Sequence, residues 1–248
     1  MDLTDYHHSA REQARMKSLL SLVPHGISSA LDIGARDGYV TRLLADRVPS
    51  VTALDLQIPL IDDKRICSVV GDATRLPFAD CQFDLVFCAE VLEHIPEPGL
   101  SAACREIARV SARYVIIGVP LCQDIRHGRV TCAACGGIGP PWGHVNSFDE
   151  LRLNELFRGL HAQRRELVDK SEPGTNAVSA LLMDFAGNPY GTYSQEEPCI
   201  HCGQAIGTPP RMTVGQHLCA RLALGLRAVS RAWQRTHANW IHLLLEKR

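Results

Sequence analysis

Apolar positions along the chain first follow a helical rhythm and then fall into short continuous runs. Ser9-Ala10-Arg11-Glu12 has the form of a capping box, and the helix it opens is expected to stop before Pro24. From there strand and helix patterns alternate. Ala30–Gly34 (ALDIG) is an apolar run ending in glycine, and a helical pattern follows it to about Arg47. Val51–Leu56, Ile66–Gly71, Phe83–Cys88 and Tyr114–Val119 are further short runs, with a helical stretch near Leu100–Val110. Strands without polar alternation are those covered on both faces, so the pattern predicts a parallel sheet with helices on either side.

Beyond Pro120 the rhythm breaks. Residues 121–147 are rich in Gly, Pro, Cys and His and read as an inserted loop. Helical periodicity returns over Phe148–Leu160, Ala162–Val168 reads as a sixth strand, and Trp240–Leu245 as a terminal one. Between these last two lie a second irregular region, about 171–212, and a long helix over Thr213–His237. There is no internal repeat. The expected architecture is one α/β domain over 1–248, with the stretches 121–147 and 171–212 as elaborations.

Composition changes this picture little. Hydrophobic residues make up 46% and charged residues 21%, ordinary values for a globular chain. A net charge of -1 gives no strong nucleic-acid signal, although a local basic patch is compatible with it. No apolar run reaches the roughly 18 residues of a transmembrane segment, and the first twenty residues lack a secretory apolar region. The expected compartment is cytoplasmic, where the ten cysteines stay reduced.

Leu31-Asp32-Ile33-Gly34-Ala35-Arg36-Asp37-Gly38 ends the first strand and opens a helix. Glycines there let a ligand approach the backbone, and the helix start offers unpaired N–H groups. Alone, such a turn is common to many nucleotide folds. Asp55, at the end of the second strand, can take both hydroxyls of a ribose. Gly71-Asp72-Ala73 follows the third strand, where a carboxylate can accept from an adenine amine, and Phe83–Pro96 joins the fourth strand to a loop over the crevice. A dinucleotide site of the Rossmann type needs Gly-x-Gly-x-x-Gly, which this turn lacks.

On these four blocks the chain resembles the class I S-adenosylmethionine-dependent methyltransferases, most closely the branch of ubiquinone and menaquinone biosynthesis. The resemblance covers about residues 28–120, and again Trp240–Arg248. It implies a doubly wound, seven-stranded, mostly parallel sheet in the order 3-2-1-4-5-7-6 with the last strand antiparallel. It implies that Asp32, Gly34, Ala35 and Gly38 surround the methionine end of S-adenosylmethionine, with Asp55 and Leu56 at the ribose and adenine. Asp72 and Ala73 would hold the adenine, and Ala89 or Glu90 would face the methionyl amine. Where the family often has glycine this chain has Arg36, which is expected to point to solvent.

Cys132-Ala-Ala-Cys135-Gly136 and Cys199-Ile-His-Cys202-Gly203 are two matching knuckles. The spacing lets two thiolates grip one tetrahedral ion while the glycine permits the tight turn. Two such knuckles favour one structural zinc that joins both insertions into a cap. Two unrelated surface pairs, or a disulfide, are the alternatives, and His127, His144 and His201 are alternative ligands. Cys67, Cys81, Cys88, Cys104, Cys122 and Cys219 lack pairing patterns and are expected mostly as small packing residues.

Methyl transfer from a sulfonium is an in-line displacement, so a base is needed only if the acceptor must lose a proton. His144, in Gly143-His144-Val145-Asn146 after the fifth strand, is the acid/base candidate, with a helix-leading turn as its plainer reading. Glu93 and His94 are expected to be structural or cofactor-adjacent, with a catalytic role as the alternative. Tyr6, His7 and His8 belong either to a lid or to a polar chain start. The 213–237 helix sets Arg221, Arg227, Arg231 and Arg235 beside Leu218, Leu222, Leu226, Val229 and Trp233. The expectation is that its apolar stripe packs on the sheet; the alternative is an anionic membrane or a lipid-linked acceptor. The function read from the chain is methyl transfer to a small or medium acceptor, with oxygen as the expected atom. A catalytically silent cofactor-binding domain with a zinc module for protein docking, or a tRNA or protein methyltransferase, are the rivals.

Overall fold

The computed structural model describes residues 9–171, 173–209 and 211–248. Tyr6, His7 and His8 lie outside the described residues. The chain divides into two compact units: one built from residues through Leu121 with Phe148–Lys170 and Ala238–Arg248, the other from Cys122–Ser147 and Ser171–His237.

The first unit is a seven-stranded sheet. Its strands are β1 (Ser29–Ile33), β2 (Ser50–Asp55), β3 (Ile66–Val70), β4 (Phe83–Ala89), β5 (Ser111–Pro120), β6 (Leu160–Lys170) and β7 (Ala238–Lys247). They lie in the order β3-β2-β1-β4-β5-β7-β6. The first five are parallel, and β7 runs antiparallel to both β5 and β6. Its helices are α1 (Ala10–Ser21), α2 (Tyr39–Ala45), α3 (Gly99–Val110) and α4 (Glu150–Leu156). This is the doubly wound order expected from the sequence.

Alternation along the central strands explains why the apolar runs are unbroken. Leu85, Phe87 and Ile116 join one core with Leu19 and Leu22 of the α1 end and Leu44 of α2. Val86, Cys88, Val115 and Ile117 point the other way, to Leu100, Cys104 and Ile107 of α3. α3 starts at Pro98 with no capping side chain. A cap is worth about 1 kcal/mol, whereas burying Leu100 and Ile107 contributes roughly 1.5–3 kcal/mol each. Packing therefore holds this helix, not its start.

Several boundaries differ from the sequence reading. The helix expected over Phe148–Leu160 is confined to Glu150–Leu156, because Phe148 bridges to Leu121 beside the sheet and Gly159 takes a φ of 96°. β6 extends beyond Ala162–Val168 at both ends. It is an edge strand whose Arg164 and Arg165 are exposed and whose Glu166 is half-buried, so its apolar signal is weak.

The second unit has a short ladder, Val130–Thr131 with Ile138–Gly139, and two helices, α5 (Ala177–Phe185) and α6 (Val214–Arg231). α5 falls within the stretch 171–212 that reads as irregular. Its residues AVSALLMDF are apolar on most sides and show little period, but Asn176 caps it by accepting from the Ser179 N–H at 2.8 Å. α6 begins with a full capping box between Thr213 and Gln216. The expected burial of its leucine stripe is not observed. Leu218, Leu222, Leu226, Val229 and Trp233 are exposed, and the buried residues are Ala220 and Ala223. That small-residue face admits α5, whose Ser179 hydroxyl donates to the Ala223 carbonyl at 2.6 Å. Of the six unpatterned cysteines, only Cys88 and Cys104 are buried; Cys67, Cys81 and Cys122 are exposed and Cys219 is half-buried.

Candidate functional site

Parallel pairing brings the ends of β1 to β4 to one edge. Ile33 lies in register with Leu54 on one side and Cys88 on the other, and Asp55 with Val70. The residues that follow, Gly34 and Ala35, Leu56, Gly71 and Asp72, and Ala89 and Glu90, therefore line a common crevice rim. Backbone bonds tie the rim together. The N–H groups of Gly34 and Ala35 donate to the Leu54 carbonyl at 2.8 and 3.2 Å, Gly71 N–H to Asp55 at 2.9 Å, and Glu90 N–H to Gly118 at 2.9 Å.

The glycine turn has a steric reason at two positions. Gly34 has a φ of 79°, and a β-carbon there would run into Val91. Gly38 has a φ of 76°, and a β-carbon would sit 2.5 Å from Ile61. Arg36, also left-handed at 47°, is exposed, as expected from its sequence position. Its backbone N–H donates to Asp55 Oδ2 at 2.8 Å, which fixes that carboxylate at the rim.

Carboxylates dominate the edge: Asp32, Asp55, Asp72 and Glu90, one for each of the four strands. Asp32 is buried and accepts from the Thr41 hydroxyl at 2.6 Å. Burial pushes its carboxyl up to about 7, against the Thr41 bond that lowers it, and the charge of Asp55 adds to the rise. Asp72 is exposed and its Oδ1 accepts from both the N–H and the hydroxyl of Thr74 at 2.8 Å, while Ala73 is buried behind it. Leu56 stands open to solvent.

Glu90 belongs to a network that the sequence does not announce. Arg15 of α1 makes a two-point pair with Glu12 at 2.8 and 2.7 Å, and its second terminal nitrogen lies 3.5 Å from Glu90 Oε1. The Trp240 indole N–H donates to Glu90 Oε2 at 3.4 Å. Burial raises the Glu90 carboxyl, and Arg15 opposes the rise. Glu93 next to it is wholly buried, and among the described residues neither of its oxygens is hydrogen-bonded. Burial, and then the Glu90 charge, raises its carboxyl well above the ordinary value. His242 is buried with Nδ1 2.8 Å from the Ser18 hydroxyl, and burial pushes it down to about 3. The only local hint of this network is Glu12 and Arg15 at helical i, i+3 spacing.

In the second unit the four knuckle cysteines converge. Their sulfurs all lie within 4.8 Å of one another, with Cys132 to Cys202 at 3.7 Å and Cys135 to Cys199 at 3.8 Å. Both knuckles close alike: Gly136 N–H donates to Cys132 and Gly203 N–H to Cys199, each at 2.8 Å, with φ of 71° and 72° at the glycines. His144 is buried, with Nδ1 2.6 Å from Gln123 Oε1. With the amide oxygen accepting, Nδ1 carries the proton and Nε2 is the basic position.

Residues 31–114 match the methyltransferase domain family. The demethylmenaquinone methyltransferase of Mycobacterium marinum is 38% identical over 84 residues, 33% of this chain and 36% of that protein. The malonyl-[acyl-carrier protein] O-methyltransferase of Serratia marcescens is 30% identical over 155 residues, 58% of this chain and 56% of that protein. The chain thus spans between about a third and about half of these relatives. Among solved structures, the N-methyltransferase NodS of Bradyrhizobium japonicum in complex with S-adenosyl-L-homocysteine superposes with a TM-score of 0.53 at 22% identity, over 69% of this chain and 86% of that one.

The raised Asp32 carboxyl has a consequence for stability. Between its ordinary value of 3.8 and about 7 the folded protein binds a proton that the unfolded chain does not. Stability therefore falls as pH rises through this window, by about 4 kcal/mol in all for a rise of this size. Asp32→Asn should raise the thermal midpoint of the ligand-free protein at pH 8 and converge on wild type near pH 4. An equal effect at both pH values would contradict the assignment. Residues 31–114 thus match the methyltransferase domain family, and the first unit has the doubly wound, Rossmann-like fold of the methyltransferase structures it resembles.

Proposed function

We propose that the protein binds S-adenosylmethionine in the crevice and transfers its methyl group to a small or medium acceptor, at oxygen. The observation that carries this reading is the donor set, four carboxylates at four adjacent strand ends. Such a rim suits a ligand with ribose hydroxyls, an exocyclic amine and cationic centres; it would repel phosphates. Asp55 is assigned to the ribose hydroxyls, with exposed Leu56 against the adenine ring. Asp72 and Ala73 take the adenine edge. Asp32, Gly34, Ala35 and Gly38 surround the methionine end, and Ala89 or Glu90 faces its ammonium. Arg15 holds Glu90 in place. The cofactor supplies an activated methyl group, so the protein's task is alignment and exclusion of water. The names of the Mycobacterium and Serratia relatives, a menaquinone-type and an acyl-carrier O-methyltransferase, support the acceptor class.

His144 is the proposed base for an acceptor hydroxyl, through Nε2. Incubation with methyl-labelled cofactor and a cell extract should label a discrete acceptor, and His144→Gln should slow labelling roughly 100-fold or more with cofactor affinity unchanged. No label on any acceptor would favour a silent binding domain, and full activity of His144→Gln would remove the histidine from the mechanism.

The cysteine cluster is proposed as a structural zinc site. Four sulfurs about 2.3 Å from a tetrahedral ion stand about 3.8 Å apart, which the spacings of 3.7 and 3.8 Å fit. A disulfide would need about 2.05 Å. Among the described residues the buried apolar side chains of this unit are few and small: Val130, Pro141, Ala180, Ala186, Ala220 and Ala223, besides Cys132 and Cys199. Closing the long loop between the knuckles costs roughly 4 kcal/mol, whereas a structural zinc contributes on the order of 10–16 kcal/mol. The metal would therefore dominate the stability of the unit. Protein purified under reducing conditions should hold one zinc per chain. Cys132→Ser or Cys199→Ser should lose it together with amide protection in residues 122–147 and 173–209, while cofactor binding persists. Metal analysis without zinc would refute the site.

A further inference from the structure

α6 does not use its most apolar face for packing. α5 and α6 form an antiparallel hairpin, since Asn176 Nδ2 reaches the Leu226 carbonyl at 3.4 Å and Ser230 Oγ at 3.3 Å while Ser179 meets Ala223 further up. The contact is made by small residues. At about 100° per residue, Val214, Leu218, Leu222 and Val229 fall within roughly a quarter turn of one another, and all four are exposed, at 88, 60, 51 and 62%. Leu226 borders this stripe and Trp233 continues it just past the helix end, both exposed. α5 repeats the arrangement with Val178, Leu181 and Phe185, exposed at i, i+3 and i+7. A water-facing helix with this pattern loses the burial that would normally stabilise it.

Charge indicates what covers the stripe. From Pro198 to Leu245 the chain has five arginines, Arg211, Arg221, Arg227, Arg231 and Arg235, and no aspartate or glutamate. The whole chain is at -1, so the positive charge is concentrated here. Arg227 is used internally, donating to the carbonyls of Pro173 and Gly174 at 3.0 and 3.2 Å. Arg221, Arg231 and Arg235 are exposed and make no ion pair among the described residues. On the helical projection Arg221 borders the leucine stripe at its Val214 edge, whereas Arg231 lies about 100° beyond that edge. A second copy seated here would bring like-charged flanks together, and a nucleic acid would leave the aliphatic stripe in water. Among the described residues no helix is long and apolar enough to cross a bilayer.

We infer that the α5–α6 hairpin seats on an anionic lipid surface. The leucine–valine stripe and Trp233 enter the acyl boundary, Arg221 and Arg235 stand at the headgroups, and Arg231 adds to the local positive charge. This inference is independent of the methyl-transfer reading and would survive its failure.

The test is co-sedimentation of the full chain with vesicles of phosphatidylcholine alone, or with about one third phosphatidylglycerol. The protein should pellet with the anionic vesicles and remain in the supernatant with the neutral ones. Leu222→Glu with Val229→Glu should weaken pelleting by about tenfold or more, and Arg221→Gln with Arg231→Gln and Arg235→Gln by a similar factor. All five positions are exposed, so both variants should keep the wild-type circular dichroism and thermal midpoint. Should the apolar variant misfold, the arginine variant decides alone. Pelleting that ignores lipid charge, or is unchanged in a folded variant, would overturn the inference. So would a self-associated species in solution that Leu222→Glu with Val229→Glu dissolves.

Discussion

Five strands of one direction, the central ones buried on both faces, govern the first unit. Parallel pairing forces each strand to be re-entered from the same side, so every strand end emerges at the same edge. The two cores follow from this, because alternate residues of β4 and β5 must be apolar to satisfy helices on opposite faces. The chemistry follows as well. Asp32 closes on Thr41 inside the edge, Asp55 is held by the Arg36 N–H at the rim, and Asp72 is turned by Thr74 outside it. The carboxylates thus sit in graded environments, from buried and proton-holding to exposed.

The local parts of this arrangement are legible in the sequence. Buried parallel strands leave unbroken apolar runs, and the rim residues follow those runs directly, so Gly34, Asp55, Asp72 and Glu90 can be placed without coordinates. The knuckles are legible for the same reason, each being a four-residue turn closed by its own glycine. What is not legible is contact between distant parts of the chain. Arg15 gives no sign of meeting Glu90 and Trp240, and His242 looks like an ordinary strand residue until Ser18 is seen beside it. Edge strand β6 is dim because water on its outer side permits charge. α6 misled in another way: a leucine stripe announces an apolar partner but not which one, and here Ala220 and Ala223 took the packing face.

The second unit obeys a different constraint. Its buried apolar side chains are few and small, so a core of the first unit's kind is not available to it. The proposed zinc replaces that core with four metal–sulfur bonds, and the hairpin can then leave its large aliphatic residues outside. On that proposal the first unit would be held by area and the second by ligation, a division that would let loss of metal disorder one without unfolding the other.

The central claim is that the carboxylate rim binds S-adenosylmethionine, and titration calorimetry tests it most directly. Wild-type protein should bind one equivalent, and Asp55→Ala, which removes the proposed ribose acceptor, should lose about 1.5–3 kcal/mol of affinity. A wild-type protein that binds no cofactor, or an Asp55→Ala protein that binds it as tightly as wild type, would contradict the account.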